Sequence, residues 1–179
     1  MLPREMAPEN ALAALEGCAP LHPSVALVVG RLFRSRLAQN ERSLFAFLSS
    51  GEPRGFQEYL QTETWGENGR RPFYRLDRLY DYVQTALGSG LYVSAQGKRW
   101  AEIEEALERL PAGGEALDAR LVKTIGLLGL VGDQRQLKAS GDVLAYALAD
   151  GETSPQDVRA ALGRVARRKI AIHRRFSGA

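Results

Sequence analysis

The sequence is poor in the side chains from which metal centres and disulfides are built. Its 179 residues include one cysteine, Cys18, and two histidines, His22 and His173. A structural zinc site takes four ligands and a catalytic one normally three, so this supply predicts no zinc centre. A lone cysteine cannot form an internal disulfide and suits a reducing compartment. We therefore predict a cytoplasmic protein in which Cys18 is a small buried apolar residue.

Long apolar stretches are lacking as well. No run approaches the roughly 20 residues that span a bilayer. The first ten residues contain acidic side chains and no apolar core, which is unlike a signal peptide. Hydrophobic residues make up 45% of the chain and charged residues 25%, an ordinary globular balance. The composition predicts one domain or two small ones and no contact with a membrane.

Catalytic motifs are absent too. A phosphate-binding loop reads GxxxxGK[ST], and the nearest segment, Gly88 to Arg99, has the wrong spacing and no hydroxyl residue after Lys98. The glutamates between Glu102 and Glu108 fit the solvated face of an amphipathic helix better than acid catalysis. Two aspartates fit surface ion pairs with nearby arginines on one helix; these residues are Asp77, Asp81, Arg75 and Arg78. We therefore predict no catalytic residue, and no metal or cofactor bound by this chain alone.

Acidic residues disappear from the chain after Asp157. Seven basic residues follow it and give this segment a charge of +7, whereas the whole chain carries +3, so the rest sums to −4. The seven are Arg159, Arg164, Arg167, Arg168, Lys169, Arg174 and Arg175. So local an excess of positive charge predicts a local anionic partner rather than a generally basic protein.

Helical spacing of apolar residues predicts a mainly α fold, with a helical lid-like region over residues 1–112. Pro23 suits the first position of one helix, and Asn40 suits the N-cap of the next. The clearest helix runs from Leu76 to Leu87. Gly88 follows it and is predicted to end the helix by adopting the left-handed backbone conformation. A shorter helix surrounds Phe56, and another runs from Trp100 to Leu110. Leu91–Ser94, which precedes the helix from Trp100, is predicted to be extended. The pair Gly113-Gly114, which follows that helix, is predicted to be the domain boundary.

Residues 115–179 have the order of a winged helix. A first helix begins near Leu117, and Ser140 and Ser154 are the predicted N-caps of two more. From Ile170 to Phe176 apolar and polar residues alternate, as in a strand. The region is therefore predicted to be a winged-helix-like domain with a short β element.

The predicted wing is incomplete, because a winged helix follows its third helix with a hairpin and here the chain ends at Ala179. A single strand leaves backbone groups unpaired. Three explanations remain open: pairing with Gln136–Ala139, pairing with a second copy in a dimer, and truncation. We favour truncation, with the short upstream segment as a partial partner.

The basic third helix has two interpretations. In helix-turn-helix proteins the equivalent helix enters the major groove of DNA, and arginines that contact phosphates give salt-dependent binding. Alternatively, cations in the last turn complement the helix dipole, and the domain docks a protein or acts as an intramolecular lid. Charge alone carries no information about base sequence.

Several segments together resemble the large bacterial P-loop ATPases of the AAA+ and STAND type. The resembling segments are Pro20-Leu21-His22-Pro23, QNERSLFAFLSS from Gln39 to Ser50, Glu52-Pro53, Gly55-Phe56-Gln57, LDARLVKTIGLLGLVG with the following Leu137-Lys138-Ala139-Ser140, and the terminal HRRFSG. In that family an ATPase core is followed by a helical lid and a winged helix, so the resemblance implies that this chain corresponds to the part after the core.

The resemblance also implies a role. The family's phosphate-binding loop and acidic metal-binding motif have no counterpart here, so ATP is implied only through a partner module. Arg42, in the QNERSLF segment, is by resemblance a candidate for sensing nucleotide, and a plain helix-surface arginine is the alternative. We expect a non-catalytic accessory region that relays the nucleotide state of a P-loop ATPase or docks a partner. A small winged-helix DNA-binding protein is the second hypothesis.

Overall fold

The computed structural model describes residues 8–33, 42–64, 72–131 and 138–170, and these residues are mainly helical, as predicted. They contain ten helices: α1 (Pro8–Glu16), α2 (Pro23–Arg31), α3 (Arg42–Ser49), α4 (Phe56–Thr62), α5 (Leu76–Leu87), α6 (Gly90–Val93), α7 (Gly97–Glu108), α8 (Ala116–Val131), α9 (Gly141–Leu148) and α10 (Pro155–Arg167). Apolar spacing and capping residues predicted eight of these helices, but not α1 or α6.

The chain divides into two compact units, Met1–Gly97 and Lys98–Ala179. The division precedes the Gly113-Gly114 pair, so nearly all of α7 belongs to the C-terminal unit rather than to the predicted lid-like region. Two local contacts join α7 to α8 within this unit. A Cβ atom on Gly126 would lie 2.7 Å from Ile103 Cδ1, so glycine is what allows the two helices to approach. Arg99 also donates to the Gly129 carbonyl at 3.0 Å.

In the N-terminal unit, the segments that lead into α2 and α5 lie side by side. The Tyr74 N–H donates to the Pro20 carbonyl at 2.8 Å and the His22 N–H to the Tyr74 carbonyl at 3.0 Å, which forms a parallel bridge between Leu21 and Tyr74. His22 is also the N-cap of α2, and its ring nitrogen accepts from the Ser24 N–H. Pro23 occupies the first turn of α2, as predicted.

Aromatic rings form the core of this unit. Six of them contact one another at centroid separations of 5.1–6.4 Å: Phe33, Phe47, Phe56, Tyr59, Tyr74 and Tyr82. Each tyrosine hydroxyl reaches a polar group at the edge of the core. Tyr74 donates to the Arg54 carbonyl at 2.8 Å, Tyr82 to the Glu52 carboxylate at 2.6 Å, and Tyr59 to the Pro72 carbonyl. The rings are thus buried without leaving their hydroxyls unsatisfied.

The prediction that Leu91–Ser94 is extended is wrong, because Gly90–Val93 form the short helix α6. Gly88 ends α5 with a φ of 47°. The N–H groups of Leu91 and Tyr92 then donate to the carbonyls of Gly88 and Ser89. These local hydrogen bonds give the backbone groups partners without a neighbouring strand. Leu91 is buried and holds the short helix in place, although the run of Leu, Tyr and Val suggested a strand.

In the C-terminal unit, α8, α9 and α10 each pack against the other two. Ser140 and Ser154 are the N-caps of α9 and α10, which confirms both predictions. Lys138 and Ala139, proposed as part of a pairing strand, form the turn into α9, where the Ser140 N–H donates to the Lys138 carbonyl. Ile170 lies in a bend. The rest of the predicted β element, 171–176, and residues 136–137 lie outside the described residues.

Candidate recognition surface on the last helix

A capping box fixes the start of α10. The Ser154 hydroxyl accepts from the Asp157 N–H, and the Asp157 carboxylate accepts from the Ser154 N–H at 2.8 Å. The hydroxyl and N–H of Ser154 hold the pKa of Asp157 below its ordinary value. Val158, Ala161 and Val165 then bury one face of the helix. The positions between them set which basic side chains face outward.

Arg164 is bound to a buried carboxylate. Its Nε donates to both carboxylate oxygens of Asp118 at 3.1 and 3.3 Å, and its Nη2 donates to Oδ1 at 2.7 Å. The Asp118 side chain is 3% exposed and that of Arg164 24%. Glu115 supplies a second carboxylate to Nη2. Hydrogen bonding to Asp118 raises the pKa of Arg164, as expected for a charge held by a close anion.

Two more of the predicted contact residues have internal partners. Arg168 Nη1 lies 4.0 Å from Asp118 Oδ2, so Asp118 stands between two arginines. Arg159 Nη2 lies 3.4 Å from Asp142 Oδ1, near the start of α9. Three of the seven basic residues, counting Arg164, are therefore paired with carboxylates of the same unit.

Arg167 and Lys169 differ from those three. Both side chains are exposed, and neither forms an ion pair with any residue that the structure describes. The guanidinium of Arg167 lies back over Gly163, 3.5 Å from where a Cβ would be. Arg174 and Arg175 lie outside the described residues. Among the described members of this group of seven, the cations without a carboxylate partner are therefore the two at the C-terminal end of α10, Arg167 and Lys169.

Lys169 occupies an uncommon backbone conformation, with a φ of 56°. Its N–H donates to the Ala166 carbonyl at 3.0 Å, and the Ile170 N–H donates to the Val165 carbonyl at 3.2 Å. This pair of bonds is the Schellman motif, in which the residue with positive φ is usually glycine. The motif turns the chain away from the helix axis at Lys169.

Asp118 was not among the residues predicted from the sequence, although the sequence contains a signal for it. It lies three residues before Leu121 and four before Val122, both buried, so it is in phase with the apolar face of α8. A carboxylate on such a face requires a cation or several donors. The sequence does not show which cation pairs with Asp118, because Arg164 is 46 residues away.

The motif around Glu52 has a structural role. The Glu52 carboxylate accepts a hydrogen bond from the Tyr82 hydroxyl. Gln57 Nε2 donates to the Leu48 carbonyl at 2.6 Å, which gives a partner to one of the carbonyl groups at the end of α3. A Cβ on Gly55 would lie 2.9 Å from the Glu52 carbonyl oxygen. These residues fix the connection between α3 and α4. Arg42 is the first residue of α3, and its suggested contact with nucleotide remains a prediction.

A cleft of about 310 Å³ lies in the N-terminal unit. Its lining residues are Arg54, Gly55, Glu58, Tyr59, Thr62, Tyr74, Asp77, Arg78 and Asp81. Arg54 Nη1 lies 3.5 Å from Asp81 Oδ2, while Arg78 pairs with Glu63 and its guanidinium carbon lies 5.2 Å from the Tyr59 ring centroid. The arginines of the cleft are thus matched to carboxylates from other segments.

Within the part of the chain that the structure describes, no three His, Cys, Asp or Glu side chains are placed to hold one metal ion. Cys18 is half-buried, and its thiol contacts the Ala14 carbonyl at 3.3 Å. Burial, assisted by the charge of Arg75, lowers the pKa of His22 from 6.5 to about 4. His22 is therefore a neutral capping residue at physiological pH.

Comparison of the chain with protein-family models, curated proteins and solved structures finds no match. None of the helices in the described ranges combines the length and the apolar character needed to cross a bilayer.

Proposed function

We propose that this chain is a non-catalytic accessory region of a P-loop ATPase, which relays the nucleotide state of that ATPase or docks a partner through its C-terminal unit. The sequence motifs that resemble the lid and winged-helix parts of AAA+ and STAND proteins motivate the proposal. ATP enters only through the partner module, because the sequence contains no phosphate-binding loop.

The observation that carries the docking role is the internal pairing of the arginines on and after α10. A helix that reads DNA directs its arginines at phosphates and base edges. Here Arg164 and Arg168 face Asp118, and Arg159 faces Asp142. Phosphates would have to compete with these carboxylates, so the arrangement supports a protein-docking role over a DNA-binding one.

The mutual packing of α8, α9 and α10 supports the alternative of a small winged-helix DNA-binding protein, because that order of three packed helices is shared with helix-turn-helix domains. This alternative predicts that affinity for duplex DNA falls steeply with salt, and that it weakens when Arg164, Arg167 and Arg168 are replaced by glutamate.

The accessory role is tested in two measurements. The purified chain, incubated with ATP and Mg²⁺, should release phosphate no faster than buffer does, and turnover at ordinary enzymatic rates would contradict the proposal. P-loop ATPase modules of the source genome are then added one at a time. A true partner should bind the chain with different affinities in ATP-analogue and ADP states, whereas equal affinities for every module would remove the relay role.

A further inference from the structure

We infer that the C-terminal end of α10, where Arg167 and Lys169 are exposed, binds an acidic segment of a partner protein. This inference rests on the proposed docking function and names the part of the C-terminal unit that makes the contact. A cation that is already paired with a carboxylate binds a second anion weakly. An acidic partner is therefore expected to contact the basic side chains that have no carboxylate partner.

The distribution of charge within the described residues selects this end of the helix. Towards its start, α10 carries Asp157 in the capping box, and Arg159 lies beside Asp142. In its middle, Arg164 is bound by Asp118 and Glu115. Past these positions the carboxylates end and the cations continue. The last turn also presents the negative end of the helix dipole, which the Schellman motif covers with hydrogen bonds.

Lys169 provides an independent argument. A residue with positive φ at the end of a helix is ordinarily glycine, because a side chain there is strained. The chain instead carries a lysine with φ 56°, fully outside the apolar core. Its side chain forms no ion pair within the described residues, so no internal contact explains it. Contact with a partner gives the lysine a use that offsets its backbone strain.

The same observations favour an acidic protein segment over nucleic acid. Two exposed cations at one helix end match two or three carboxylates of a peptide. Sequence-independent binding of duplex DNA usually involves more phosphate contacts than this. A duplex laid along α10 would also bring its phosphates against Asp142, Glu115 and Asp157, which repel them.

The test measures fluorescence anisotropy of labelled hexaglutamate, a labelled Gly-Ser hexapeptide and a labelled 16-base-pair duplex against the full chain at fixed salt. The variant is Arg167→Gln with Lys169→Gly. Glycine at 169 relieves the backbone strain, so loss of binding cannot be ascribed to unfolding. The matched control, Lys98→Gln with Arg99→Gln, removes two exposed cations at the start of α7 that, like Arg167 and Lys169, have no carboxylate partner among the described residues.

We expect the variant to weaken hexaglutamate binding about threefold to tenfold, the range for two exposed charge contacts, and the control to leave it unchanged. Equal weakening by variant and control would overturn the inference, since net charge alone would then govern binding. Tighter binding of the duplex than of hexaglutamate, lost in the same variant, would overturn it in favour of nucleic acid. Because no ATPase or nucleotide is present, either failure is distinct from failure of the accessory role.

Discussion

Arg164 and Asp118 form the central ion pair of the C-terminal unit: three hydrogen bonds join a guanidinium on α10 to a carboxylate that is 3% exposed on α8. The two residues are 46 positions apart. The bond fixes the last helix against the first of the three-helix group. The same ion pair makes Arg164 unavailable to the anionic partner that the run of basic residues predicts.

Replacing Asp118 by asparagine should destabilise the chain by about 2 kcal/mol. Removing one partner of a buried pair leaves the other charge uncompensated, at a cost of about 3–5 kcal/mol. The smaller figure is expected because Arg164 is partly exposed and keeps Glu115. Urea unfolding measures the change. Asp142→Asn is the matched control, since Asp142 is 92% exposed and its pair with Arg159 should contribute about 0–1 kcal/mol. Similar losses in both variants would show that burial of Asp118 does not matter.

The parts of this fold that depend on neighbouring residues were predictable. Ser154 with Asp157 three residues later is a capping box that can be read directly from the sequence, and Ser140 and Gly88 were likewise placed correctly as helix boundaries. In each case the residue that makes the hydrogen bond or takes the special φ lies within one turn of the helix that it ends or begins.

What could not be predicted depends on residues far apart in sequence. The chain divides before α7 rather than at the Gly113-Gly114 pair, and α7 contacts α8 where Ile103 lies over Gly126; neither residue alone indicates that contact. The seven basic residues formed one patch in the sequence, but Asp118 and Asp142 divide those that are described into paired and unpaired sets. Charge patterning gives the number of cations in a segment, whereas only the tertiary structure tells which of them already have partners.

Replacing Lys169 by glycine should stabilise the chain by about 0.5–1 kcal/mol, because glycine adopts positive φ without the steric cost of a Cβ. Lys169→Ala is the control, since alanine removes the charge but keeps the Cβ. Its free energy of unfolding should stay within about 0.5 kcal/mol of the wild type, the range of ordinary surface substitutions. Thermal and urea unfolding measure both. If alanine stabilises as much as glycine, charge repulsion rather than backbone strain is being relieved.

The stability of the N-terminal unit should fall as the pH drops from 6.5 towards 4 because of His22. Its pKa is lowered to about 4 in the folded chain, whereas an unfolded chain has the ordinary value of 6.5. The unfolded chain therefore binds a proton at His22 more readily than the folded chain does. The contribution is therefore complete above pH 6.5 and is progressively lost below it. Urea midpoints at pH 7.5 and 5.0 should differ more in the wild type than in His22→Asn, which keeps a capping acceptor but does not titrate. Equal pH dependence in the two proteins would count against a buried neutral histidine.

The two glycines of α8, three residues apart, should respond oppositely to alanine. At Gly126 the new methyl group would lie 2.7 Å from Ile103 Cδ1, and overpacking of this kind costs about 1–3 kcal/mol. At Gly129 no atom beyond the neighbouring turns of the helix lies within 4 Å of the added Cβ, so the higher helix propensity of alanine should stabilise by about 0.5–1 kcal/mol. Urea unfolding compares the two variants. Combining Gly126→Ala with Ile103→Ala should destabilise by less than the sum of the single changes, because the smaller side chain gives the methyl group room. Two stabilising alanines would instead mean that α7 does not pack against α8 at Gly126.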